Sequence, residues 1–347
     1  MTSRYSLPIL LVSILALNCS KDNPVAPPPS SGADAVYVLN EGNFQRGNAT
    51  LSMLLPDSAK VYADVFAPAS GRGLGDTGNS LTEHVGKLYI VVNGSNRIEV
   101  VDVKTAKLVK TITCPAGASP RYIVFDAAGT GYISNLYTNS VSVYDDASNT
   151  ITAEIPVGQN PEQLLVANGR LFVTNSGFGS GRTVSVIDIA TKTVTGALAV
   201  GDNPAAIAAT GDSTAVVLCT GAYNDFNNPA DDTPGKLFFI NTKSARVTDS
   251  LLLEGHPQRI ALDGTATMYT VQPDGIQKVD LAARTKADKV IPGVFYSVAF
   301  DADRRQLYVT DALDYVQPGK LFVYSPAGVK TAEYTVGIIP GAMVVVR

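Results

Sequence analysis

Two histidines, three cysteines and no tryptophan are what this 347-residue sequence offers to metal, thiol and ring-stacked cofactor chemistry. His84 and His256 lie far apart, and a zinc, copper or haem centre draws on more nitrogen or thiolate ligands than these supply. No Cys-x-x-Cys-His haem attachment occurs. The pair Asp231-Asp232 has the charge to hold calcium, but no loop pattern of oxygen ligands surrounds it. Gly71-Arg72-Gly73-Leu74-Gly75 has the glycines of a phosphate loop without its lysine or its strand-to-helix setting. No resident metal or cofactor is therefore expected. The absence of tryptophan also argues against a quinone-cofactor dehydrogenase. Glu41 or Asp76 with His256 is the acid–base set left for a hydrolase.

A net charge of −4 with only 17% charged residues excludes another class. Binding to nucleic acid needs a basic stripe that displaces counterions from phosphates, and here Lys and Arg are scattered.

The chemistry must be carried by elements, and the first of these is a leader. Arg4 precedes an apolar run from Ile9 to Leu17, and Cys19 follows almost at once. That run is too short for a membrane span and reads as a signal peptide over residues 1–18. Cys19 at the cleavage boundary resembles the lipobox of bacterial lipoproteins, in which the thiol is acylated. Ala16 and Asn18 stand where that family prefers leucine and a small residue. Residues 19–34, with Pro24, Pro27-Pro28-Pro29 and Ser30-Ser31-Gly32, lack the apolar residues of a core and read as an extended tether.

From residue 35 onward the sequence repeats. A strand with an aromatic or apolar second residue recurs as Val36-Tyr37-Val38-Leu39-Asn40, Leu88-Tyr89-Ile90-Val91-Val92-Asn93 and Gly131-Tyr132-Ile133-Ser134-Asn135. It returns at Leu171-Phe172-Val173-Thr174-Asn175, Ala215 to Leu218, Met268 to Val271 and Leu307 to Asp311. Copies lie about 39 to 53 residues apart, near the spacing of about 40–50 for a four-stranded propeller blade. A second strand follows each copy, as in Ile98 to Asp102, Val141 to Asp145 and Val184 to Asp188. Gly-x-x-Pro turns at Gly158–Pro161, Gly201–Pro204 and Gly117–Pro120 lead into a further strand.

The prediction is an all-β, seven-bladed propeller over residues 35–347. Its first blade begins at Val36 in its second strand, and Ala342 to Val346 supplies the missing innermost one. Closure in this way removes exposed sheet edges. Cys114 and Cys219 fall in non-neighbouring blades, too far apart to bridge, and are expected as buried free thiols.

In such a ring the turns before the innermost strands and after the second strands open on one face, around the channel mouth. They carry the candidate ligand-binding residues. Asp76, Asn79, Arg121, Glu162, His256, Arg259 and Tyr296 come from the first set, together with Gln163, Asn203 and Gln258. Asn40, Glu41, Asn43, Phe44, Asn93, Tyr137, Phe178, Tyr223, Asp225, Phe226 and Tyr315 come from the second. Many of the amides answer to turn geometry, since Asn and Asp tolerate left-handed conformations. Aromatic rings among Gly, Asn and Asp in loops have no such reason and suit a large, flat, polar-edged ligand or a protein partner. The long insertion from Thr220 to Gly235 belongs to the same face.

Leu171 to Asn175, Val184 to Asp188 and Val200-Gly201-Asp202-Asn203-Pro204 resemble the YVTN-type propeller repeat. Val38-Leu39-Asn40-Glu41-Gly42-Asn43-Phe44 and Leu74-Gly75-Asp76-Thr77-Gly78-Asn79-Ser80-Leu81 resemble exported lipoproteins of that type, among them surface propellers that capture cobalamin. The resemblance implies an outer-membrane lipoprotein, facing periplasm or cell surface, a monomer on its own, that binds a corrinoid. It further implies handover of that ligand to a TonB-dependent transporter. A protein-interaction scaffold and a lactonase-like hydrolase are the alternatives.

Overall fold

Each repeat folds as a four-stranded antiparallel sheet, and seven such sheets follow one another around a ring. The computed structural model describes residues 34–223, 229–264 and 266–347. The predicted signal peptide, Cys19 and nearly all of the tether lie outside the described residues. No helix among those described is long and apolar enough to cross a membrane.

The position of a strand within its blade follows from its pattern. Second strands such as Lys87–Val92 and Arg170–Asn175 are apolar on both faces and almost wholly buried. Outer strands such as Thr150–Pro156 and Thr193–Ala199 alternate or are polar and remain largely exposed. The core is therefore a set of inter-blade seams. Tyr89, Val91, Ile98 and Val100 of the second blade pack on Ile123, Ile133 and Tyr144 of the third. Full burial of an apolar side chain of this size is worth about 1.5–3 kcal/mol, so every seam couples its two blades strongly.

The ring closes as predicted. Pro340–Val346 forms the innermost strand of the first blade, antiparallel to Ala35–Asn40, with Val36 opposite Val345 and Tyr37 opposite Val344. Ion pairs reinforce the junction. Arg304 reaches Asp34 and Asp57, both at 2.6 Å, and Arg347 reaches Asp303 at 2.8 Å and the buried Asp301. Cys114 and Cys219 are free and buried, and burial pushes both thiols up to about 12.

One feature departs from strict alternation. In six of the seven blades the ladder between innermost and second strands slips near the mouth, at Pro120/Ile123, Pro161/Leu164, Pro204/Ala206, Gln258/Ile260, Gly78/Ser80 and Val38/Asn40. Such bulges re-aim side chains locally.

Candidate functional site

Backbone hydrogen bonds tie the two predicted loop sets together on one face. Leu136 N–H donates to Ser119 O (3.1 Å), Ser176 to Asn160 O (3.1 Å), Thr220 to Asn203 O (3.0 Å) and Glu41 to Ile339 O (2.8 Å). Each bond joins the turn after a second strand to the turn before an innermost strand. The two loop sets are thus cross-linked around the mouth.

At its floor, charged and phenolic groups from five blades meet. Arg259 Nη1 donates to Tyr122 Oη at 3.2 Å, and its Nη2 to Glu41 Oε1 at 3.3 Å. Tyr296 Oη donates to Glu41 Oε2 at 3.0 Å. Arg121 Nε donates to Glu162 Oε2 at 2.8 Å. Burial would lower Arg259, but Tyr122, Glu41, Tyr296 and Glu162 around it hold it above the usual arginine value. Burial raises Glu41 above the ordinary carboxylate range, against the opposing pull of Arg259 and Tyr296. Glu41 also depends on Gly341, where a Cβ would stand 2.3 Å from its Oε1.

The bulges explain how so many side chains reach one floor. Alternation would send Arg121 and Tyr122 to opposite faces, as it would Glu162 and Gln163. With the ladder slipped, all four line a cavity of about 240 Å³, together with Asn203, Tyr223, His256, Gln258 and Arg259. Arg259 itself occupies the bulge with φ +32°, a left-handed value that non-glycine residues seldom adopt. A second cavity of about 270 Å³ continues down the channel between Asn79, Tyr122, Gln163, Arg259 and Ser297.

Aromatic side chains rim the floor. Phe44, Tyr137, Phe178, Tyr223 and Tyr315 are all more than half exposed, from 51% for Tyr315 to 71% for Phe44. Tyr137 and Phe178 tilt against each other with centroids 6.1 Å apart. Tyr315 meets Tyr296 edge to face at 5.9 Å, and its carbonyl accepts from Asn43 Nδ2 at 2.7 Å. Tyr223 stacks on His256 at 3.8 Å.

The remaining predicted residues are placed differently. Asn40 is fully buried and donates to Thr50 Oγ1 (3.0 Å) and Ser52 Oγ (2.8 Å), a clamp inside the blade with no surface for a ligand. Asn79 is buried and donates to Arg121 O. Asn93 donates to Pro120 O at 3.0 Å, and Asp76 accepts from Gln45 N–H at 3.1 Å. These two act as loop braces. Asp225 and Phe226 lie outside the described residues. Tyr122 was not anticipated from sequence, because a tyrosine directly after Arg121 reads as core until the bulge is known.

The acid–base candidates do not meet. Glu41 is held by Arg259 and Tyr296, whereas His256 contacts Thr220 O at 3.1 Å and Asp232 at 3.6 Å. Among the described residues, no three His, Cys, Asp or Glu side chains gather as a metal ligand set would.

Comparison with known proteins places the fold among many solved propellers. A functionally unknown protein from Desulfotomaculum acetoxidans superposes with a TM-score of 0.67 at 11% identity, covering 90% of this chain and 98% of that one. Apo AztD from Citrobacter koseri gives 0.59 at 13% identity, with coverage of 90% and 98%. Hydrazine synthase from Kuenenia stuttgartiensis gives 0.57 at 15% identity, with coverage of 76% and 92%. At such identities the likeness is one of fold. No curated protein matches in sequence. The family described as a domain of unknown function, DUF5074, matches residues 34–217, more than half of the chain, and the protein belongs to it.

Proposed function

We propose that this protein is a non-catalytic cell-envelope propeller, lipid-anchored through Cys19 in the outer membrane. It takes a large, flat, polar-edged ligand of the corrinoid class across its mouth and hands it to a TonB-dependent transporter. The observation that carries the reading is the pairing of exposed rings at the rim with a polar floor. Rings half or more in water have no role in the core, and they offer flat contact area at little cost in side-chain freedom. The floor supplies the hydrogen bonds that orient a polar edge. A binding role rather than a catalytic one is supported by the separation of Glu41 from His256.

The test is a titration of the protein with cyanocobalamin, read by calorimetry and absorbance. Tight one-to-one binding, weakened about 2- to 12-fold by Phe44→Ala or Phe178→Ala, is the expected result. No binding at high micromolar ligand overturns the corrinoid assignment. Leu313 and Val316 extend the exposed apolar surface beside Phe44 and Tyr315, which favours a protein partner as the second reading. Capture of one specific envelope protein, lost in Tyr315→Ala, would establish it.

A further inference from the structure

The arginines at the mouth floor are matched, charge for charge, by carboxylates. Arg121 is paired with Glu162 at 2.8 Å and Arg259 with Glu41 at 3.3 Å. The next ionisable side chains, His256 and Asp232, stand 3.6 Å apart and together bring no net positive charge. An anion entering the cavity beside them would leave an uncompensated charge in a half-buried place, and such burial is expensive. A neutral group escapes that cost. The hydrogen-bonding capacity is nonetheless open. Arg121 donates only through Nε among the described residues, and only Oε2 of Glu162 receives a bond there. Unused N–H donors therefore lie next to an unused carboxylate acceptor, and the Tyr223–His256 stack lines the same cavity.

We propose that this cavity is a subsite for an uncharged arm bearing a donor next to an acceptor, a primary carboxamide, and that it rejects the matching carboxylate. The amide oxygen accepts from Arg121 while its NH₂ donates to Glu162. A carboxylate in the same position sets an anion against the Glu162 oxygen. The proposal deepens, and rests on, the reading of the mouth as a ligand site.

Nicotinamide and nicotinate differ only in amide against carboxylate and serve as probes, with glucose as a neutral polyol. Ligand-observed NMR on the full protein at pH 7 should show nicotinamide binding at least about tenfold more tightly than nicotinate, a difference of about 1.4 kcal/mol. Glu162→Gln keeps the shape but leaves the cavity net positive, and the preference should swing towards nicotinate. Glu41→Gln makes the same change from the Arg259 side and decides the matter if the first variant does not fold, as its melting curve will show. Equal or tighter nicotinate binding in the unaltered protein overturns the proposal, as does an unchanged preference in the folded variants. Glucose binding as tight as nicotinamide overturns the carboxamide assignment. Cyanocobalamin binding without any nicotinamide preference would sink the subsite and leave the mouth reading standing. The reverse pattern would sink the corrinoid reading and leave the subsite.

Discussion

The asparagine that ends a second strand holds its blade together. Asn40, Asn135 and Asn175 each donate to two hydroxyls on the neighbouring third strand, Thr50 and Ser52, Ser140 and Ser142, or Thr183 and Ser185. Replacing Asn175 with Ala leaves buried hydroxyls without their partner and should cost about 1–3 kcal/mol in urea unfolding. A second residue-scale expectation concerns acid. Lys110, Tyr89 and Lys87 overcome the effect of burial on Asp146 and hold its carboxyl well below the usual range. The folded-state value is depressed, so Asp146 contributes stability above the ordinary carboxylate range and loses it as pH falls through the lowered value. The melting temperature of Asp146→Asn should therefore lie below that of the unaltered protein at pH 7, with the gap narrowing towards pH 2. The two buried thiols should stay silent to a thiol reagent until denaturant unfolds the ring, because burial disfavours the thiolate.

Among elements, the innermost strands carry both the closure and the site. Their bulged ends are braced by second-strand hydroxyls, from the same blade for Thr174 and Thr270 and from the neighbouring seventh blade for Thr310. Thr174 donates to Gln163 O (3.2 Å), Thr270 to Arg259 O (2.9 Å) and Thr310 to Pro340 O (2.7 Å). Thr270→Val removes the brace under Arg259 and should cost about 1 kcal/mol while weakening mouth ligands, as melting and titration would show. Deleting residues 342–346 exposes the edge of Ala35–Asn40 and strips its seam of Met343 and Val345. Loss of the single cooperative unfolding transition is expected, and intact cooperative folding of that deletion would refute the closure argument.

On the scale of the whole molecule, the strand Ala35–Asn40 runs from the closure junction to the mouth, ending at Glu41 on the floor. Asp34 therefore stands on the face of the ring opposite the aromatic rim. A protein held to vesicles through Cys19 should bind mouth ligands with the affinity of the free protein. A marked loss of affinity on tethering would mean that the rim, not the closure face, lies against the membrane.

Periodicity along the chain was sufficient to reveal the blades, their order, the closing strand and the face on which the loops gather. Each follows from local alternation and from a repeat that cannot bury both faces alone. Phe44, Phe178 and Tyr223 were legible as rim residues because nothing local accounts for a ring in a polar turn. The floor was not legible in that way. Glu41 and Arg259 are 218 positions apart and meet only because the ring closes. Tyr122 faces the cavity beside Arg121 only because the ladder slips between Pro120 and Ile123. Asn40, similar in type and setting to a ligand-binding amide, proved to be a clamp within its blade. Alternation decides which face a side chain takes within a regular strand. Contacts across the channel, and the bulges that break alternation at its mouth, belong to the tertiary structure alone.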